Sequence, residues 1–112
     1  MPFRGTLKQG SAFTIDVTNN ANNTDKCAYT VFKINKTDRV SDANPVTVDL
    51  NATGSVTDTP SGSINRVMII LNPPPAGPNG APIVNVRVSQ NNAIVANDTY
   101  GTDVEIVFDC TP

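Results

Sequence analysis

The chain has 112 residues, a net charge of −2, a pI near 4.7, and neither histidine nor tryptophan. That length fits one domain over residues 1–112, too short for a catalytic domain with a separate binding domain. The acidic balance excludes a nucleic-acid surface built from clustered Lys and Arg, and the missing histidine removes the usual general base, the His-dependent triads and most zinc sites, so no enzyme is expected.

Val and Ile supply the apolar mass, Asn and Thr are abundant, and Glu occurs once, at Glu105. The β-branched residues favour strands, and the shortage of helix-forming surface residues argues against helices. No apolar run reaches the eighteen residues of a helical membrane span. Met1 to Gly10 carries Arg4 and Lys8 but no apolar stretch of a signal peptide.

In chain order, Ala12 to Thr18 alternates, with Phe13, Ile15 and Val17 on one face, and reads as a half-buried strand. Asn19 to Lys26 is a polar loop. Cys27 to Ile34 is apolar on both faces, which predicts a strand covered on both sides or bulged. Its end carries Lys26, Lys33, Lys36 and Arg39 beside Asp25 and Asp38, a mixed solvated cluster.

Asn35 to Pro45 reads as a loop, and Val46 to Leu50 as a strand with Val46, Val48 and Leu50 inward. Asn51 to Ser63 is small and polar, with room for a short edge strand around Val56. Val67 to Leu71 lacks alternation and predicts a central strand buried on both faces, with Ile64 beginning it. Asn72 to Pro82 holds five of the nine prolines and predicts an exposed connector.

Ile83 to Gln90 and Ala93 to Tyr100 form a hairpin, because Asn91 and Asn92 tolerate the positive φ of a tight turn. Gly101 and Thr102 turn the chain into Val104 to Cys110. About seven strands follow. The expected fold is an all-β, two-sheet β-sandwich of immunoglobulin-like Greek-key form, with a jelly roll as the alternative.

Cys27 and Cys110 are both in phase with inward positions, and a disulfide between them is expected to close nearly the whole chain. Such a bridge needs an oxidising compartment, so a secreted or cell-surface location follows from it. Four Asn-x-Thr sequons, at Asn22, Asn35, Asn51 and Asn97, reflect an Asn- and Thr-rich surface.

Tyr100, beside Asn97, Asp98 and Asp103, is the one place where the sequence puts an aromatic ring with amide and carboxylate groups, the combination a sugar site needs. Calcium is the best-matched cofactor, with Asp98 and Asp103 at one turn and Asp38 and Asp42 in another loop as its ligands. The leading expectation is an extracytoplasmic, non-catalytic binding module for a glycan or another surface protein. The alternatives are a structural or assembly domain of a larger surface or virion protein, and an inhibitor or effector acting through the proline-rich loop.

Overall fold

The computed structural model describes residues 3–20, 26–49, 51–73 and 83–112. They form nine strands: β1 (Phe3–Lys8), β2 (Phe13–Asn19), β3 (Cys27–Asn35), β4 (Val40–Val48), β5 (Thr53–Asp58), β6 (Ile64–Asn72), β7 (Val84–Gln90), β8 (Ala93–Tyr100) and β9 (Val104–Thr111). Five make one sheet in the order β1-β9-β6-β3-β4, and four make the other in the order β5-β2-β7-β8. All neighbours are antiparallel except β1 and β9, which run parallel.

The two sheets pack as a sandwich, as the alternation predicts. Phe13, Ile15 and Val17 of β2 and Val84, Val86 and Val88 of β7 face Tyr29 and Val31 of β3, Val67, Ile69 and Leu71 of β6, and Ile106 and Phe108 of β9 in one core. Each such side chain contributes about 1.5–3 kcal/mol on burial. The chain passes from one sheet to the other at every connection except β3–β4 and β7–β8, an interleaving compatible with a Greek key. Asn91 and Asn92 take φ of 54° and 61° in the β7–β8 turn, as their side chains allow.

Each lateral seam of the sandwich is closed at a glycine. A methyl group on Gly5 of β1 would lie 2.8 Å from Val95 Cγ1 of β8, and one on Gly54 of β5 would lie 2.7 Å from Val48 Cγ2 of β4. Val95 falls at an irregularity in the β7–β8 ladder, where Val88 pairs with Ala96 but Ser89 with Ile94. The extra residue turns its side chain toward β1.

The structure departs from the sequence expectation in four places. First, there are nine strands: the edge strand allowed for around Val56 forms as β5, and β1 is a strand the sequence did not predict. Second, β4 begins at Val40 and runs through Pro45, where a loop was expected. It is an edge strand, so the missing proline N–H falls on the side with no neighbouring strand. Third, β6 is the central strand of its sheet but is buried on one face only: Val67, Ile69 and Leu71 are inaccessible, while Met68 and Ile70 are half-buried on the outer surface. Leu50 and residues 74–82 lie outside the described residues.

Fourth, the expected disulfide is not formed. Cys27 and Cys110 are both free and buried. Both point inward, but β3 and β9 are each antiparallel to β6 and therefore parallel to one another. Ala28 pairs with Asn72 and Asp109 with Arg66, which puts the two cysteines eight residues apart along β6. That is roughly 26 Å along the strands and roughly 10 Å across them, whereas a disulfide needs Cα atoms within about 7 Å. Burial pushes the Cys110 thiol up to about 11 and raises Cys27 as well. The inference of an oxidising compartment loses its basis with the bridge. Alkylation of the unreduced, denatured protein should therefore add two labels per chain, with the folded protein reacting far more slowly; an unlabelled chain would restore the bridge.

Candidate functional site

The register of β7 and β8 shows which predicted ligands share a surface. Asp98 pairs with Val86 and Tyr100 with Val84, both inward positions, so Asp98 and Tyr100 lie on the inner face at the sheet margin. Asn97 pairs with Arg87 on the outer face, where its Oδ1 accepts a 3.0 Å hydrogen bond from Asn85 Nδ2. Asp103 stands in the exposed turn before β9. The structure thus brings Asp98 and Tyr100 together and separates them from Asn97.

What joins Asp98 and Tyr100 is Arg4, a residue the sequence did not single out. Its Nε lies 4.0 Å from Asp98 Oδ2, and its guanidinium stands 6.0 Å from the centre of the Tyr100 ring, an electrostatically favourable arrangement. Burial raises the Tyr100 hydroxyl above its ordinary value, with Arg4 opposing the shift and Asp98 adding to it. The cluster belongs to the seam between β1 and β8, and Arg4 occupies the ring that a sugar would stack on.

The calcium candidates Asp38 and Asp42 are likewise paired with cations. Asp38, at φ 60° in the β3–β4 turn, accepts a hydrogen bond from Arg66 Nη2. Asp42 Oδ2 lies 3.4 Å from Lys33 Nζ. Asp38 precedes β4 and Asp42 lies within it in one sheet, Asp98 lies in the other, and among the described residues no three Asp, Glu, Cys or His side chains converge.

The polar groups that the fold does bring together tie one sheet to the other. Lys33 Nζ reaches across to Asp58 Oδ2 of β5 at 2.7 Å. Tyr29 Oη donates to Gly54 O at 2.9 Å, and burial pushes that hydroxyl up to about 12, with Asp16 adding to the shift. The Gln90 amide accepts from Lys8 N at 2.7 Å and donates to Lys8 O at 2.8 Å and Ser11 O at 2.9 Å. Asn19, wholly buried, donates to Val48 O at 3.3 Å. Near neutral pH the Tyr29 hydroxyl and both thiols keep their protons, so these groups hold the fold and offer no nucleophile. That Tyr29 shares a face with Cys27 and Val31 was legible in the sequence; Lys33 was read there as part of a solvated cluster, and its partner Asp58 depends on which strands face each other. Comparison with protein-family models and with curated proteins finds no match to this chain.

The Lys33–Asp58 pair sets a pH window. Burial acts to raise the Asp58 carboxyl, but the hydrogen bonds from Lys33 and the Thr59 N–H, with the Lys33 charge, hold it below its ordinary 3.8. The hydrogen bond to Asp58 holds Lys33 above its ordinary 10.5. A lowered acid stabilises the fold above its unfolded value and loses that contribution as pH falls through the folded one; a raised base does the reverse. Wild type should therefore exceed Lys33→Met by about 0.5–1 kcal/mol, after discounting for partial exposure. In urea titrations that margin should hold between pH 3.8 and 10.5 and shrink on either side; a difference flat with pH would assign the effect to packing.

Proposed function

We propose that this domain is a non-catalytic structural module that bears load within a larger surface or virion assembly. The observation that carries this reading is the parallel pairing of the first and last strands, with Phe3 beside Val107 and Lys8 beside Thr111. Tension applied through chain preceding β1 and following β9 draws the two strands in opposite directions along their length. Their hydrogen bonds then share the load in shear, instead of opening one after another as in a peeled hairpin. The hydrogen bond from Gln9 N to Thr111 O, 2.7 Å, extends the ladder by one residue.

A glycan-binding role has weaker support, because the Tyr100 ring and Asp98 are engaged by Arg4, Asn97 lies on the opposite face, and the calcium candidates Asp38 and Asp42 are paired with Arg66 and Lys33. An extracytoplasmic placement rests on the Asn- and Thr-rich surface alone. A glycan array probed in calcium and again in chelator should stay silent. Specific binding abolished by chelator would replace the structural reading with a calcium-dependent lectin-like one.

The direct test is single-molecule force spectroscopy on tandem repeats. Pulled through its ends, the domain should unfold at several times the force needed when it is held at Ile83 and Gly101, the open ends of the β7–β8 hairpin. Equal forces in the two geometries would remove the load-bearing role.

A further inference from the structure

We propose that β1 is an exchangeable strand, and that the groove it fills takes β1 of a second copy, joining two chains by reciprocal strand exchange. This goes beyond the load-bearing reading and does not rest on it. Peeling β1 sideways opens its bonds one after another, a route that tension along the strand does not take.

Topology singles out β1. Four strands lie at sheet edges, β1, β4, β5 and β8, and among the described residues only β1 precedes every other strand of the sandwich. It can therefore leave without drawing a neighbour with it. Its departure takes little from the core, because Leu7 is the only described member of the core cluster that β1 supplies.

The groove reads both main chain and sequence. β9 offers its edge in a parallel ladder, from Gly5 beside Phe108 to Lys8 beside Thr111. The Gln90 carboxamide, in the opposite sheet, accepts from Lys8 N at 2.7 Å and donates to Lys8 O at 2.8 Å, a contact with backbone alone. Two side-chain positions are exacting. A methyl group at position 5 would lie 2.8 Å from Val95 Cγ1, so the strand in the groove needs glycine there. Two residues on, beside Cys110, Leu7 is inaccessible, and a smaller residue would leave a cavity. Gly5-Thr6-Leu7 is the chain's only Gly-x-Leu sequence, which makes β1 of a second copy the matched occupant.

The link to β2 favours exchange. Residues 9–12 must turn the chain from one sheet into the other, with Gly10 at φ 83° and its N–H bonded to Pro60 O at 2.8 Å. Short connections without slack promote strand exchange. In the exchanged pair the hydrogen bonds through Lys8 and Gln9 form again between chains. Closed and exchanged forms then differ only in the corner and in the entropy of association.

Disulfide trapping on the full chain tests the proposal. Chains carrying Thr6→Cys are mixed at about 1 mM with chains carrying Asp109→Cys, the two positions being exposed neighbours across the β1–β9 ladder. The mixture is then diluted and oxidised, and the bridges are mapped by peptide mass spectrometry. A covalent pair bridged between positions 6 and 109 is expected, since these positions come within disulfide reach across chains only when β1 of one lies on β9 of the other. Adding Gly10→Val to both chains should raise the yield about tenfold, because a β-branched residue is strained at positive φ and fits an extended link. Inserting Gly-Ser-Gly-Ser after Gly10 instead should lower it about tenfold by giving the corner slack. Circular dichroism checks that each variant is folded, and the insertion reports even if Gly10→Val fails to fold. Absence of the bridge between positions 6 and 109 in every mixture overturns the proposal, as does a yield that neither change to the link alters.

Discussion

The side-chain amide of Gln90 stands in for a neighbouring strand beside the backbone of Lys8. It accepts from Lys8 N and donates to Lys8 O and Ser11 O, although Gln90 belongs to β7 in the opposite sheet. The rest of the fold depends on this contact, because the chain must leave β1 and enter β2 in the other sheet across residues 9–12 alone. A corner that tight strands backbone groups that no ladder reaches, and each one left buried and unpaired costs about 1–3 kcal/mol. Here Gly10 N bonds to Pro60 O, Gln9 N to Thr111 O, and the Gln9 side chain to Ile64 O. Gly10 takes φ 83°, a conformation a glycine adopts without strain. Among the described residues no buried side-chain polar atom lacks a partner.

The seams follow from the same economy of space. A core of Val and Ile with few aromatics is thin, so the edge strands of the two sheets must come close to exclude water at the sides. Gly5 and Gly54 allow that approach, and the bulge at Val95 supplies the side chain that meets Gly5. At the other seam Gly54 serves twice. Its bare Cα admits Val48, and its carbonyl accepts the hydroxyl of Tyr29, the largest fully buried side chain. A larger residue at position 54 would press on Val48 and strain the packing by about 1–3 kcal/mol.

Strand phase was legible in the sequence because it is local. The alternation of Phe13, Ile15 and Val17, the Asn91–Asn92 turn and the inward phase of Cys110 all appear in the structure. Axial position was not legible, since it depends on which strands neighbour which. Cys27 opens β3 and Cys110 closes β9, and only the shared antiparallel neighbour β6 shows that these are opposite ends of one sheet. β1 was hidden for a related reason: a parallel edge strand with Gly5 at its centre and two cations carries no alternation to read. The divided ligand cluster was partly foreseeable, because Asn97 and Asp98 are consecutive in a strand and must face opposite ways. Arg4 was not, being 94 positions from Asp98 and joined to it only through the seam.

The corner and the load path coincide. Tension on β1 reaches β9 through the parallel ladder and reaches β7 through the two hydrogen bonds between Lys8 and Gln90. Pulling β1 along its length therefore engages both sheets at once: the five-stranded sheet through β9 and its partner β6, and the four-stranded sheet through β7 and its partner β2. A disulfide between β3 and β9 would tie only strands of the same sheet. Interdigitated Val and Ile side chains resist displacement of one sheet against the other through packing, and directional bonds that cross between the sheets add to that resistance. The crossing bonds of Gln90, Tyr29, Lys33 and Asn19 are of this kind, and they lie at the margins, where relative displacement would otherwise begin.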